Sequence, residues 1–208
     1  MAHEAEEAAR ELLTMICGAR LGTPSWLKRP GKVECGARWE LVRVIYRALA
    51  GKDLLRETMP PRETRRVDGV FRYRGTPFIY ELDESQHFNA FRARTLALYP
   101  EDVRLGFDKE VWSRRCTAKA KLETGGWAKS RPPLFPGANG RHRQRAFRDA
   151  LTDILPGEHG YAPTVRLDDR DVLAWVHAAD AEERMRVILR DRLEPQPADV
   201  GRPRGSIR

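Results

Sequence analysis

Long apolar runs are missing from this chain of 208 residues, and no charged-then-apolar segment opens it. A membrane-spanning helix needs about 20 consecutive apolar residues, so we expect no membrane partner, and without an export signal a cytoplasmic location is the default expectation. Cysteine is also scarce, since Cys17, Cys35 and Cys116 are the only three and stand far apart. This spacing disfavours both a zinc knuckle and a disulfide framework, so we expect reduced thiols.

Lysine is the rarer of the two basic side chains. Of 38 basic residues seven are lysine and 31 are arginine, and the formal net charge is +8. A GC-rich genome would explain the arginine preference but not the excess of positive charge. Arginine forms forked hydrogen bonds to phosphate oxygens and base edges, so the composition favours a nucleic-acid partner.

The hydrophobic periodicity predicts an α/β fold with a mixed β-sheet flanked by helices. Helices are predicted over residues 4–17, 37–50, 88–99, from 140 to about 155 and over 169–192, and strands over 66–73, 77–83 and 164–167. The first two strands are separated by Arg74-Gly75-Thr76, a short turn typical of a β-hairpin. We divide the chain into an N-terminal helix and loop (1–35), a core (36–99 and 139–193), an irregular insertion (100–138) and a flexible tail (194–208).

An acidic cluster lies on the predicted hairpin. Glu81 and Asp83 are two residues apart on a strand and share a face, and pairing would bring Asp68 from the neighbouring strand close to them. Three such carboxylates repel one another unless a cation lies between them, and Mg²⁺ or Mn²⁺ prefers oxygen ligands. The alternative is an exposed acidic strand face without a ligand, although strands disfavour Asp and Glu.

This cluster predicts metal-assisted attack of water on a phosphodiester. Asp68 and Glu81 would be the main metal ligands. Asp83 would be a third ligand or would orient the attacking water. Gln86 and His87, just past the strand, would contact that water or the scissile phosphate.

The same residues carry a family resemblance. Val67-Asp68-Gly69, followed after a turn by Ile79-Tyr80-Glu81-Leu82-Asp83-Glu84-Ser85-Gln86-His87, resembles the PD-(D/E)XK nuclease superfamily and, more narrowly, the very-short-patch-repair endonuclease-like group. Relatives commonly have a glycine where Glu84 stands. Downstream, residues 145–151, Gly160-Tyr161 and the strand at 164–167 are similar to the family's Arg/Asp-bearing helix, glycine turn and Arg-bearing strand. The resemblance covers roughly half the chain.

What the resemblance implies is a restriction-endonuclease-like core and metal-dependent cleavage of a nucleic-acid backbone, with Asp68 and Glu81 as ligands. Asp83 stands where the family usually has lysine, which would help to position the water. Members often place a glutamate near the metal on the preceding helix, which makes Glu40 a further candidate ligand. An ordinary ion pair between Glu40 and Arg43 on the helix surface is the alternative.

Two basic stretches are candidates for contact with nucleic acid. Trp112 and Trp127 flank the second stretch and could stack on bases, although packing in a core is the commoner role of tryptophan. A solvated charged face is the alternative for the arginines. The candidates are Arg66 beside the hairpin, Arg141, His142, Arg145 and Arg148 on one helix, and Arg114, Arg115, Lys119 and Lys121 in the insertion.

Three functions are compatible with these patterns. The first is a Mg²⁺-dependent DNA endonuclease of defence, restriction or repair, and a duplex cut would favour a homodimer because two strands need two sites. The second is a catalytically inactive nucleic-acid-binding module that keeps a nuclease-like fold, which the acid in place of lysine would suit. The third is an interaction domain without a nucleic-acid role.

Overall fold

A computed structural model describes residues 2–52, 55–119, 122 and 124–194. Within these ranges no helix has both the length and the apolar character needed to cross a membrane. The tail from residue 195 and Lys121 lie outside the described residues, as does the side chain of Trp127.

The chain forms an α/β structure with a three-stranded mixed sheet flanked by helices. Strand β1 (Gly69–Tyr73) pairs antiparallel with β2 (Thr76–Asp83), and β2 pairs parallel with β3 (Val165–Asp168). Arg74 and Gly75 form a two-residue turn, with φ of 48° and 84°. Positive φ at both turn positions suits the right-handed twist of a hairpin, so local sequence sets the register of β1 on β2.

Helices account for most of the remaining structure. Short 3₁₀ turns lie at Gly36–Arg38, Pro61–Glu63, Ser85–His87, Gly125–Ala128 and Pro156–His159. The α-helices are α1 (Ala2–Cys17), α2 (Ser25–Lys28), α3 (Lys32–Cys35), α4 (Trp39–Ala50), α5 (Ala90–Leu96), α6 (Lys109–Ala118), α7 (Gly140–Ile154), α8 (Asp169–Leu173) and α9 (Ala181–Leu193).

The two faces of the sheet differ in polarity. One face carries apolar side chains such as Phe78, Tyr80 and Leu167, which pack in one core with residues of α1, α8 and α9. On the other face Glu81, Asp83 and Arg166 lie toward α7, and Asp83 and Arg166 are fully buried. A separate apolar core joins α4, α5, α6 and α7. Apolar cores therefore lie on either side of the polar layer between the sheet and α7.

The predicted hairpin and the helices at α1, α4 and α7 are confirmed, with small shifts at their ends. The single helix predicted over residues 169–192 is wrong, because α8 ends at Leu173 and α9 begins at Ala181. No glycine or proline marks this break. Val172, Val176 and Met185 all pack in the core beneath the sheet, and tertiary packing of this kind overrides helix propensity.

The insertion predicted as irregular contains a helix. Asp108 accepts hydrogen bonds from the backbone N–H groups of Glu110 (2.9 Å) and Val111 (3.0 Å) and so caps α6. An aspartate before a helical turn is a recognised N-cap signal, and the sequence interpretation missed it.

The three cysteines are free, as expected. Burial raises the pKa of the Cys35 thiol to about 12 and those of Cys17 and Cys116 to about 11. At neutral pH all three are protonated.

Candidate active site

Two carboxylates lie side by side where the hairpin meets α7. Gly69 pairs with Tyr80, so Asp68 and Glu81 are opposite one another one position further along the ladder. The backbone N–H of Leu82 donates a hydrogen bond of 2.8 Å to Asp68 Oδ2, which holds the Asp68 side chain at this position. Both carboxylates line a cavity of about 330 Å³, so the structure brings these two predicted ligands together.

The electrostatics of this pair favour an added cation or proton. Burial raises the pKa of Glu81 well above its usual value, and the charge of Asp68 raises it further, against the opposing charges of Arg166 and Arg65. Burial also raises the pKa of Asp68, although the hydrogen bond from Leu82 opposes the shift. Two adjacent acids with raised pKa values are a common property of functional sites.

His87 lies on the wall of the same cavity, with its ring orientation set by two carboxylates. Its Nδ1 is 3.1 Å from Asp149 Oδ2 and 3.2 Å from Asp83 Oδ1, and the guanidinium of Arg145 donates to its Nε2. These partners assign the neutral tautomer with hydrogen on Nδ1. His87 therefore presents its Nε2 toward the arginines of the cavity.

Asp83 does not face the cavity, which corrects the expectation of a third ligand or a water-orienting group. Its side chain is fully buried, and Oδ1 accepts a hydrogen bond of 2.6 Å from Arg166 while Oδ2 accepts one of 2.7 Å from Trp112 Nε1. Because Asp83 is buried among these donors and is not among the residues lining the cavity, it is not positioned to share an ion with Asp68 and Glu81 there. Asp83 instead anchors β2 to β3 and α6.

A buried network of charges supports the site from behind. The Arg166 guanidinium also donates to Asp153 at 2.7 Å, and Asp153 accepts from Arg92 at 2.5 Å and from Tyr99 at 2.8 Å. Each buried charge thus meets an opposite charge, as burial requires. The network fixes the position of α7 relative to the sheet and, with it, the position of Asp149.

Arginines surround the mouth of the cavity. Arg65 is buried and donates to the carbonyl of Arg148 at 2.6 Å and to Thr152, and burial lowers its pKa to about 10. Arg66 is exposed. The residues lining the cavity are Thr64, Arg65, Arg66, Asp68, Glu81, His87, Arg141, Gln144, Arg145, Arg148, Asp149 and Thr152. Four of the nine proposed nucleic-acid contacts, namely Arg66, Arg141, Arg145 and Arg148, are in this set.

The donor set at the cavity fits a hard divalent ion held by two carboxylates. Mg²⁺ is commonly bound by one or two carboxylates together with water and substrate phosphate, which Asp68 and Glu81 can provide. Among the residues that the structure describes, no group of three or more His, Cys, Asp or Glu side chains is arranged to hold a metal ion. A divalent ion at this cavity would therefore have two protein ligands and would take the others from water and substrate.

Other predicted site residues lie elsewhere. Gln86 donates to Glu84 and is not among the residues lining the cavity. Glu40 lies on α4, is largely exposed and pairs with Arg43 at 3.1 Å. This surface ion pair is the alternative to metal binding that the sequence predicted for Glu40. His142 has a relative exposure of 1%, so its proposed contact with nucleic acid is wrong for this conformation.

The α6 region forms a separate surface. Arg115 is engaged by Asp168 and by Asp171, the latter at 2.8 Å, and Lys119 donates to the carbonyl of Ser85. Arg115 and Lys119 line a different cavity. Trp112 is buried and bonded to Asp83, so stacking on a base is excluded for it. Arg114 is exposed and lies 3.7 Å from Glu110.

A larger cavity of about 610 Å³ lies beside the loop after α7. Arg38 on its wall bridges Asp102 at 2.8 Å and Glu158 at 3.2 Å, and Arg74 bridges Glu194 at 2.9 Å. Because these arginines are already paired with carboxylates, this cavity is a weaker candidate for binding an anionic ligand than the cavity that holds Asp68 and Glu81.

The sequence interpretation gave no individual role to Asp149 or Arg166, and it considered Trp112 only for stacking on bases or for packing in a core. Asp149 lies four residues after Arg145, so both face the sheet from α7, and this spacing was a usable signal. Arg166 and Trp112 reach Asp83 from distant parts of the chain, and no local pattern connects them.

Comparison of this chain with protein-family models, with curated protein sequences and with solved structures gives no match.

Proposed function

We propose that this protein is a metal-dependent endonuclease that hydrolyses DNA phosphodiester bonds, built on a restriction-endonuclease-like core. The observation that carries the proposal is the combination, in one cavity, of two adjacent carboxylates with raised pKa values and a ring of arginines. Carboxylates alone would repel a phosphate, and arginines alone would bind it without activating water. Together they suit a metal ion and an anionic substrate.

Asp68 and Glu81 are the proposed ligands of Mg²⁺ or Mn²⁺, which when bound would polarise the phosphodiester and neutralise developing charge. Arg66 would hold the oxygens of the scissile phosphate by charge-assisted hydrogen bonds. Arg145 donates to neutral His87 in this structure, and a phosphate oxygen is a stronger acceptor for it. Substrate binding would therefore free His87 Nε2, with Nδ1 kept in place by Asp149, to accept a proton from water.

A second candidate function is a nucleic-acid-binding module that does not cut. It is favoured by the burial of Asp83 against Arg166 and by the lack of a third metal ligand among the described residues. A lysine at position 83 would have helped to position water, and an aspartate bonded to Arg166 cannot do so.

Plasmid nicking tests the first candidate. Supercoiled plasmid is incubated with the protein and Mg²⁺ or Mn²⁺, with EDTA as the blank. Asp68→Asn and Glu81→Gln should each lower the rate by about 100-fold or more, because each removes a ligand of an ion that supplies several kcal/mol. Asp180→Asn is the matched control, since this aspartate is exposed and forms a surface ion pair with its helix neighbour Arg184 at 2.8 Å.

Equal nicking by the wild type and both site variants would point to a contaminating nuclease and would overturn the proposal. DNA binding without nicking in either ion would establish the second candidate. Nicked circles without linear product would indicate action by one copy of the chain, whereas linear product at higher protein concentration would indicate a homodimer.

A further inference from the structure

The cavity that holds Asp68 and Glu81 continues into a second one along α7. The second cavity, of about 370 Å³, shares four lining residues with the first, namely Thr64, Arg141, Gln144 and Arg148. Its other walls are Glu63 and the loop Ser130, Arg131 and Pro132. The two cavities form one groove, with the carboxylates at one end and Arg131 at the other.

The loop that carries Arg131 is docked tightly onto the start of α7. The backbone N–H of Arg141 donates to the carbonyl of Lys129 at 2.8 Å, and Arg131 exchanges two backbone hydrogen bonds of 2.8 Å with Phe135. A Cβ added to Gly140 would lie 2.6 Å from the backbone nitrogen of Arg131 and closer still to the carbonyl oxygen of Phe135. Only glycine allows this approach, so the position of Arg131 beside Arg141 is built into the fold.

The arginines of the groove form a row. Arg141, Arg145 and Arg148 are spaced by four and three residues, which places them on one face of α7 over about 10 Å of helix axis. Successive phosphates of one duplex strand are about 3.4 Å apart along its axis, so the row is longer than a single phosphate requires. Arg131 extends it beyond the end of the helix.

The charge of the second cavity suits an anion. Three arginines and one glutamate line it, and Glu63 is already engaged by Gln144 at 2.9 Å and by Arg148 at 3.1 Å. Burial and the neighbouring charges of Arg131, Arg145 and Arg148 lower the pKa of Arg141. Mutual repulsion of this kind is relieved when an anion binds.

We infer that Arg131 and Arg141 form a second phosphate subsite. It would bind a neighbouring phosphate of the strand whose scissile phosphate lies over Asp68 and Glu81. The inference rests on the proposed function and adds this subsite to the same groove. A mononucleotide or phosphomonoester would leave the second cavity unused.

Binding measured without divalent metal tests the inference separately from cleavage. Fluorescence anisotropy is recorded for the full chain with a labelled DNA single strand of about 16 nucleotides and with a labelled dinucleotide, in EDTA over a series of salt concentrations. Arg131→Gln should weaken binding of the long strand by up to about fivefold, the ceiling for an exposed ion pair, and leave the dinucleotide unchanged. The slope of log K against log salt should become shallower by about 0.7, the value for one phosphate contact on a single strand.

Two variants act as controls. Arg184→Gln removes the same charge from an exposed position on α9 and should change neither affinity nor slope. Arg131→Lys keeps the charge and should restore the slope. Thermal unfolding of each variant shows that the chain is folded.

The inference is overturned if Arg131→Gln binds the long strand like the wild type or like Arg184→Gln, or if it weakens binding of both ligands equally. Equal wild-type affinity for the dinucleotide and the long strand would also overturn it. Failure of the proposed function gives a different result. If the protein binds the long strand with the expected salt dependence but does not nick plasmid, the hydrolytic role is refuted and the binding groove is not.

Discussion

Replacement of Asp83 by asparagine separates a structural role from a metal-binding one. Asp83 is fully buried and accepts hydrogen bonds from Arg166 at 2.6 Å and from Trp112 at 2.7 Å. Asparagine has nearly the same shape but no charge, so it leaves the Arg166 guanidinium buried with one carboxylate fewer. We expect the variant to lose stability and to keep its response to metal.

The size of the loss follows from the surroundings of Arg166. Removing one partner of a buried ion pair costs about 3–5 kcal/mol. Arg166 keeps Asp153 at 2.7 Å, so the lower end of that range, about 3 kcal/mol, applies. For a chain of this length 1 kcal/mol lowers Tm by about 2–4 °C, which corresponds to a decrease of about 6–12 °C.

Urea denaturation and thermal unfolding, each with and without Mg²⁺, provide the measurement. A ligand that binds only the folded state raises Tm by mass action. If Mg²⁺ binds at Asp68 and Glu81 as proposed, it should raise the Tm of Asp83→Asn by as much as that of the wild type. It should not raise the Tm of Asp68→Asn. The reasoning is refuted if Asp83→Asn costs less than about 1 kcal/mol and at the same time abolishes the Mg²⁺ effect, because Asp83 would then act as a ligand.

Two further predictions concern α7. Burial alone would raise the pKa of Asp149, but the neighbouring His87, which is hydrogen-bonded to it, and the charges of Arg166 and Arg92 outweigh burial and lower that pKa. The stability that the ionised carboxylate contributes is therefore present above the ordinary aspartate pKa of about 3.9 and lost as pH falls below it. Asp149→Asn should lower the free energy of unfolding, measured by urea denaturation, by about 3 kcal/mol at pH 7. This difference in stability from the wild type should become smaller below about pH 3.9. A difference that stays constant with pH would contradict a stabilising role for the ionised carboxylate. Gly140→Ala should lower stability by about 1–3 kcal/mol through overpacking and weaken binding of the long DNA strand. Gly157→Ala is the control, because its added Cβ meets nothing within 4 Å, and it should change neither stability nor binding. Equal melting temperatures for the two variants would show that the loop moves to accommodate the methyl group.

Local sequence was sufficient to predict the hairpin and one face of the site. The alternation of β2 places Glu81 on the polar face and Tyr80 in the core, as a strand of period two requires. A two-residue turn with glycine sets the register and brings Asp68 opposite Glu81. The helices α4 and α7 followed from apolar residues at helical spacing. All of these features depend on residues close together in the chain.

The insertion and the C-terminal helices were less predictable. The N-cap signal of Asp108 was present in the sequence, but the prolines and glycines of this segment favoured the prediction of an irregular insertion. The break between α8 and α9 has no local signal, because it results from packing of Val172 and Met185 beneath the sheet. Where such a helix ends depends on tertiary packing as well as on local helix propensity, and packing is set by the whole fold.

The sequence by itself determined which carboxylates share a strand face and that the chain carries an excess of arginine. Only the tertiary structure decided that Asp68 and Glu81 open into a cavity while Asp83 does not, because Arg166 and Trp112 reach Asp83 from 83 and 29 residues away. The same packing placed Asp149 behind His87 and Arg131 beside Arg141. Burial, hydrogen-bond partners and pKa values depend on neighbours in space, and those neighbours come from segments that no local pattern connects.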